Sequence, residues 1–164
     1  MFLFLKNLLF TVLVPGTVAV YIPLRLVRFR PEMLRGEWGL AQVAALVPLL
    51  LGAAIYFWCL WDFAFFGRGT PAPIDAPKRL VVRGLYRFVR NPMYVGVLLV
   101  IAGWAAFFES RRILLYGAGI ALLFHLVVLV IEEPILASRF GESYAQYRRE
   151  VGRWVPRIRP RRAV

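Results

Sequence analysis

Apolar residues in this chain come in four long runs rather than in alternation. The first covers about Phe2–Leu24, with Lys6 and Asn7 near its start and a Pro15-Gly16 interruption. The second covers about Gly39–Phe66 and includes Cys59 and Asp62. The third covers about Pro92–Phe108, and the fourth about Ile113–Ile131, with His125 inside it. A helix needs about 20 residues to cross roughly 30 Å of hydrocarbon. The first two runs suffice and the third is short. Only Glu109-Ser110-Arg111-Arg112 separates the third run from the fourth, so the two read as a helical hairpin. The predicted fold class is therefore all-α. It is a polytopic membrane bundle of about four transmembrane helices, followed by a C-terminal interfacial helix. One membrane domain is expected: two N-terminal helices in 1–66, a loop in 67–91, the hairpin in 92–131 and a tail in 132–164. The first run is too long for a signal peptide and lacks a small-residue cleavage pattern, so it reads as a helix.

Composition strengthens this picture and adds a direction. Of 164 residues, 60% are hydrophobic and 18% charged, yet the formal net charge is +12. A soluble domain is about half apolar and about a quarter charged. Disorder is excluded by the hydrophobicity. Fifteen of the 21 Lys and Arg residues fall in the N-terminus, the 67–91 loop and the tail, which four crossings place on one side. That side is the cytoplasm by the positive-inside rule. Anionic lipid head groups are the expected partner of this excess; nucleic acid is not. One cysteine and one histidine leave no room for a Cys/His zinc site, and no metal is expected. Cys59 reads as a small buried apolar residue. His125 reads as an interhelical structural residue.

Three polar segments could carry chemistry. The 67–91 loop holds Gly67, Gly69, Pro71, Pro73 and Pro77, then a short β-prone run, Leu80-Val81-Val82. It reads as a stiff flap over a site at the membrane surface. Asn91-Pro92 has the composition of a helix start, with Asn as N-cap and Pro at the first helical position. Such an N-terminus suits a carboxylate or phosphate, and Arg90 stands beside it. Glu132 and Glu133 end the fourth run. They stand about 100° apart on a helix, so one can face the bundle and hold a ligand's amino, hydroxyl or cationic group. In the tail, Phe140, Tyr144, Tyr147 and Val151 recur on one helical face, which predicts an amphipathic helix that docks on the membrane or covers the site. Trp154 suits an interfacial anchor.

Taken in order, these segments resemble a known family. Gly84-Leu85-Tyr86, Arg90-Asn91-Pro92-Met93-Tyr94-Val95-Gly96, Glu132-Glu133, Phe140-Gly141-Glu142-Ser143-Tyr144-Ala145-Gln146-Tyr147 and Val151-Gly152-Arg153-Trp154-Val155-Pro156 fit one pattern. It is the pattern of the isoprenylcysteine carboxyl methyltransferase-like family of integral membrane methyltransferases, which includes phospholipid methyltransferases. The likeness covers about Gly69–Pro156. It implies S-adenosylmethionine as cofactor, bound on the cytoplasmic side of a bacterial inner membrane. Its contacts would be Lys78, Arg79, Leu80, Val81, Tyr86, Arg90, Asn91, Pro92, Met93, Tyr94 and Glu132. It also implies a lipidic or prenylated acceptor, methylated on a carboxylate or an amine. Three positions depart from the pattern. Asn91 replaces a His, in the bacterial manner, and Gly152 replaces a Pro. Val128 stands where eukaryotic members have an Arg linked to the acceptor. No catalytic base is nominated, because a carboxylate acceptor needs none. Two other readings compete: an NADPH-dependent membrane reductase of similar core, and a non-catalytic protein that binds anionic lipid.

Overall fold

The computed structural model describes residues 9, 11–35, 38–63, 65 and 80–157. Lys78 and Arg79, and the proline-rich flap of the 67–91 loop, lie outside the described residues. Within them the chain is helical. Helix α1 spans Val12–Leu26, α2 Leu40–Asp62, α3 Pro92–Phe107 and α4 Arg111–Val127. A π turn, Val128–Glu132, leads without a break into α5, Glu133–Glu150. Among the described residues, two helical stretches are long and apolar enough to cross a membrane: α2, and Arg111–Glu150, which bends at Gly141. With 16 residues, α3 reaches only about 24 Å.

Two departures from regular α geometry lie beside prolines, although Pro48 leaves α2 regular. Pro15 lies inside α1, and Val12–Tyr21 winds as a π-helix. A proline has no N–H and its ring crowds the carbonyl four residues back, so a wider turn relieves both faults. Pro134 acts in the same way at the end of α4. There the Glu133 N–H reaches back five residues to the Val128 carbonyl. The extra residue in this turn sets the directions of Glu132 and Glu133.

The bundle core joins α2 and α3 at close range through glycines. A Cβ placed on Gly52 would sit 2.5 Å from the Gly96 carbonyl oxygen, and one on Gly103 would sit 2.9 Å from the Leu49 nitrogen. Gly96 is thus occupied by helix packing. Around this contact, Tyr56, Val97, Ile101, Ala105 and Ile113 are buried together. The Tyr116 hydroxyl ties α4 to α1 by donating to the Val18 carbonyl at 2.8 Å. Much of the remaining surface of α2 and α4 is large and apolar: Val47, Leu50, Phe57 and Trp61, then Leu114, Leu115, Leu122 and Val130 are all exposed. In water such a surface is a liability; in hydrocarbon it is the solvated face.

The second packing unit lies beyond the bundle. Tyr144, Tyr147 and Val151 are buried against Leu80, Leu136 and Phe140. The predicted apolar face of the tail helix is real, but protein covers it. Gly141 breaks α5 with φ +50, in a conformation that favours glycine, so the helix bends toward its partners. The chain after α5 then pairs with the segment before α3: Val89 bridges Gly152, and the Arg90 N–H donates to the Gly152 carbonyl at 2.8 Å. Leu80-Val81-Val82 forms no strand among the described residues. Its β propensity finds no partner, because the pairing register falls on Val89 instead.

Candidate functional site

A cavity of about 180 Å³ opens where the four helices, the 80–91 segment and α5 meet. Its polar lining is Tyr56, Tyr86, Arg90, Asn91, Tyr94, Glu132 and Tyr147. Its apolar lining comes from Val14, Pro15 and Val18 of α1, Met93 and Val97 of α3, and Phe124 of α4, whose ring lies 4.4 Å from that of Tyr94. Phe63, Leu80, Val81, Leu136 and Phe140 complete the wall. Arg90 and Glu132 are the two charged residues among the described lining residues.

The two adjacent carboxylates have separate duties. Glu132 faces the cavity and accepts a hydrogen bond from the Tyr94 hydroxyl. Burial pushes its carboxyl above the ordinary range, the Tyr94 hydroxyl pulls it down, and neighbouring Glu133 pushes it up again; the net direction is upward. Glu133 turns away and is buried in a cluster of arginines. Arg153 holds it with two bonds, Nε at 2.6 Å and Nη2 at 3.1 Å. Arg90 donates from Nη1 at 2.9 Å, and Arg148 stands 3.8 Å away. Burial alone would raise the Glu133 carboxyl, but the Arg153 hydrogen bond and the three cations overcome it and hold it low. One carboxylate against three guanidinium groups leaves the cluster with positive charge to spare. Arg90 is itself 8% exposed at its side chain, and its Nε has no partner among the described residues.

The charge balance of this cluster can be measured directly. A carboxyl group whose folded-state pKa is depressed stabilises the fold above its unfolded value, about 4.3, and loses that contribution as pH falls through the lower folded value. Glu133→Gln should therefore lower stability by about 3 kcal/mol at neutral pH, because three cations lose their counter-charge. The deficit should shrink on acidification below about pH 4. Thermal unfolding of both proteins across pH measures this; a deficit independent of pH would remove the ionic account.

Most of the residues singled out in the sequence converge on one place. Leu80, Val81, Tyr86, Arg90, Asn91, Met93, Tyr94 and Glu132 all line the one cavity. Pro92 does not. It is fully buried and serves as the first residue of α3. Asn91 is no side-chain cap: its amide donates to the Arg153 carbonyl at 3.2 Å, so it fastens the tail instead. Trp154 is half-buried and held by protein contacts. Its Nε1 donates to His125 Nδ1 at 3.1 Å, and its ring lies 6.4 Å from that of Tyr94. His125 is structural, as its sequence context predicts, and Cys59 is wholly buried. Val128 is buried too and does not line the cavity. The apolar lining from α1 and α4 is invisible in the sequence, since helices that are apolar all round carry no mark of their inward face.

Comparison with known proteins gives this geometry a family. Residues 40–143 match the phospholipid methyltransferase family model, which is more than half of the chain. Over 80 residues, the chain is 35% identical to methanethiol S-methyltransferase 1 of Bradyrhizobium diazoefficiens, covering 49% of this chain and 27% of that protein. Over 86 residues it is 38% identical to protein-S-isoprenylcysteine O-methyltransferase of Schizosaccharomyces pombe, covering 48% of this chain and 34% of that protein. A methanethiol S-methyltransferase of Mycobacterium tuberculosis is 40% identical over 72 residues, 44% of this chain and 28% of that protein. The matches thus span about a third of the length of these curated relatives. No solved structure matches. A cavity with one free carboxylate, ringed by tyrosines in an apolar helical bundle, is what this chain builds from the family's matched segment, and the chain belongs to the phospholipid methyltransferase family.

Proposed function

We propose that the chain is an S-adenosylmethionine-dependent membrane methyltransferase whose acceptor is a lipidic, prenylated or otherwise apolar molecule. The observation that carries this reading is the lining of the cavity: one carboxylate, one guanidinium and several aromatic rings in an otherwise largely apolar wall. These are the groups a methionine-type sulfonium needs. The donor's methionine part bears an ammonium, a carboxylate and a sulfonium. Glu132 suits the ammonium or the ribose hydroxyls. Arg90 Nε, buried and without a partner among the described residues, suits the carboxylate. The rings of Tyr86, Tyr94 and Phe124 attract positive charge. Lys78 and Arg79, implied by the family likeness, are proposed to complete the site from the adjoining segment.

Bound there, S-adenosylmethionine supplies a methyl group on a positively charged sulfur. The residues around it position and desolvate. Arg90 and Glu132 fix the methionine part, while Val14, Val18, Val97 and Phe124 keep water from the acceptor's nucleophile. Transfer is an in-line displacement: the acceptor's lone pair forms the new bond to carbon as the carbon–sulfur bond breaks, and that pair stays on sulfur. A carboxylate or thiolate acceptor releases no proton, so no base is assigned.

The relatives' names point to two acceptor nucleophiles, a prenylated cysteine carboxylate and a small thiol, and the apolar part of the lining suits both. We place the donor site on the cytoplasmic face of a bacterial inner membrane, with both termini there and the acceptor entering from the bilayer. The basic tail meets anionic lipid. The test is equilibrium binding of S-adenosylmethionine and of NADPH to detergent-purified protein, followed by transfer of labelled methyl into three acceptors: a prenylated-cysteine analogue, membrane lipid and a short alkyl thiol. Saturable S-adenosylmethionine binding with transfer into at least one of them is the expected result. A folded protein that binds NADPH and no S-adenosylmethionine would overturn the proposal.

A further inference from the structure

The last turn of α2 contains a carboxylate for which the cavity has no use. Asp62 is 3% exposed, and it does not line the cavity. A buried carboxylate at the end of an apolar helix is costly unless it is paired, so its retention asks for a role. Its Oδ1 lies 3.4 Å from Arg83 Nε. Its Oδ2 has no hydrogen-bond partner among the described residues. It faces Gly84, whose φ is +52, and a Cβ there would collide with it. The same Cβ would come 3.0 Å from Trp58 Nε1. Residues 58 and 62 are one turn apart, so one face of α2 receives the Arg83-Gly84 backbone.

In the same short turn as Gly84 stands Tyr86, whose ring lines the cavity. Three further contacts hold Tyr86. Its N–H donates to the Arg83 carbonyl at 3.0 Å. Its ring meets Phe63 edge-on at 5.5 Å, and its carbonyl accepts from the Tyr147 hydroxyl at 2.7 Å. Trp58 and Asp62 of α2, with Phe63 just beyond its end, meet the Gly84–Arg87 turn. Asp62 brings an ionic contact to this seat through Arg83.

We propose that Asp62 is a positioning residue: by pairing with Arg83 and packing on Gly84, it fixes the turn that presents Tyr86 to the cavity. This rests on the proposed cofactor site, but its first consequence does not. Asp62→Asn keeps the shape and removes the charge, so the turn loosens while the bundle stands. Glycine at 84 is required both for its φ and for the closeness of the carboxylate, so Gly84→Ala forces the same turn off its seat with the charge pair intact.

The experiment uses the full chain in detergent. Hydrogen–deuterium exchange should show the amides of 83–90 exchanging about tenfold faster in Asp62→Asn and in Gly84→Ala, with α3 and α4 as in wild type. In the same variants the KM for S-adenosylmethionine should rise about tenfold while kcat and the acceptor KM hold. A merely structural role would instead speed exchange throughout and lower kcat through lost folded protein. If Asp62→Asn fails to fold, Arg83→Gln, altered at the half-exposed partner, should give the same local pattern at smaller size. Wild-type exchange and wild-type KM in a folded Asp62→Asn overturn the proposal. If wild-type protein binds no S-adenosylmethionine, the proposed cofactor site falls, and the exchange pattern alone supports or overturns the role of Asp62.

Discussion

Glu132→Ala is expected to weaken S-adenosylmethionine binding by about 100-fold, equivalent to roughly 2.8 kcal/mol. The reason is the lack of any substitute. Glu132 is the one acidic residue among the described lining residues, and it is largely removed from water. A bond from a charged group in such a setting is worth more than the same bond in water. Tyr94→Phe should cost about tenfold, since it removes only the hydroxyl that orients the carboxylate. The two variants also separate by pH. Burial raises the Glu132 carboxyl, so the ionised form that holds a cation is lost at a higher pH than for an exposed glutamate. Binding should therefore weaken on the acid side, beginning above the ordinary carboxylate range. The Tyr94 hydroxyl pulls that pKa down. Its removal should shift the loss to still higher pH. Calorimetric titration of wild type and both variants across pH measures all of this. Wild-type affinity in Glu132→Ala would take Glu132 out of the site.

The carboxylate pair also shows what a sequence discloses and where it stops. Adjacency alone implies that Glu132 and Glu133 point about 100° apart. Which one faces inward depends on the π turn that Pro134 imposes, and no helical wheel built on 3.6 residues contains that turn. The helix starts are legible, because Asn91-Pro92 and Ser110 punctuate uniformly apolar runs. Ser110 does cap α4, accepting from the Ile113 N–H at 3.4 Å. Asn91 has the composition of a cap but spends its amide on the tail. Local propensity cannot reveal that competitor, 62 residues away. The tail's apolar face is legible from its period. What it covers is not, since Leu80 and Phe140 meet through a fold and not through a pattern. The polar residues that line the cavity stand out because their chemistry is rare in an apolar chain. The apolar ones are hidden because their chemistry is everywhere in it.

Gly52→Ala should have the largest effect on stability, about 3 kcal/mol or more, although it adds one methyl group. In a bilayer, helices gain nothing by hiding apolar surface from lipid, so close van der Waals contact between small residues has to hold them. At Gly52 the approach is to backbone. An added Cβ would meet the Gly96 carbonyl oxygen at 2.5 Å and the Val100 nitrogen at 2.8 Å. Neither atom can rotate away, so α2 and α3 must separate. Gly119 supplies the matched control: it lies in an apolar helix, and nothing stands within 4 Å of its Cβ position. Gly119→Ala should leave stability unchanged or raise it by about 1 kcal/mol, the ordinary helix preference of alanine. Thermal unfolding of the two variants decides the matter, and equal behaviour would show that the glycine contact does not set the helix spacing. The consequence reaches the site. Tyr56 and Asp62 ride on α2, while Asn91, Met93 and Tyr94 belong to the start of α3. A wider α2–α3 spacing therefore moves the wall holding Tyr86 away from the wall holding Tyr94. Any Gly52→Ala protein that still folds should bind S-adenosylmethionine more weakly than wild type, even though Gly52 touches no part of the cavity.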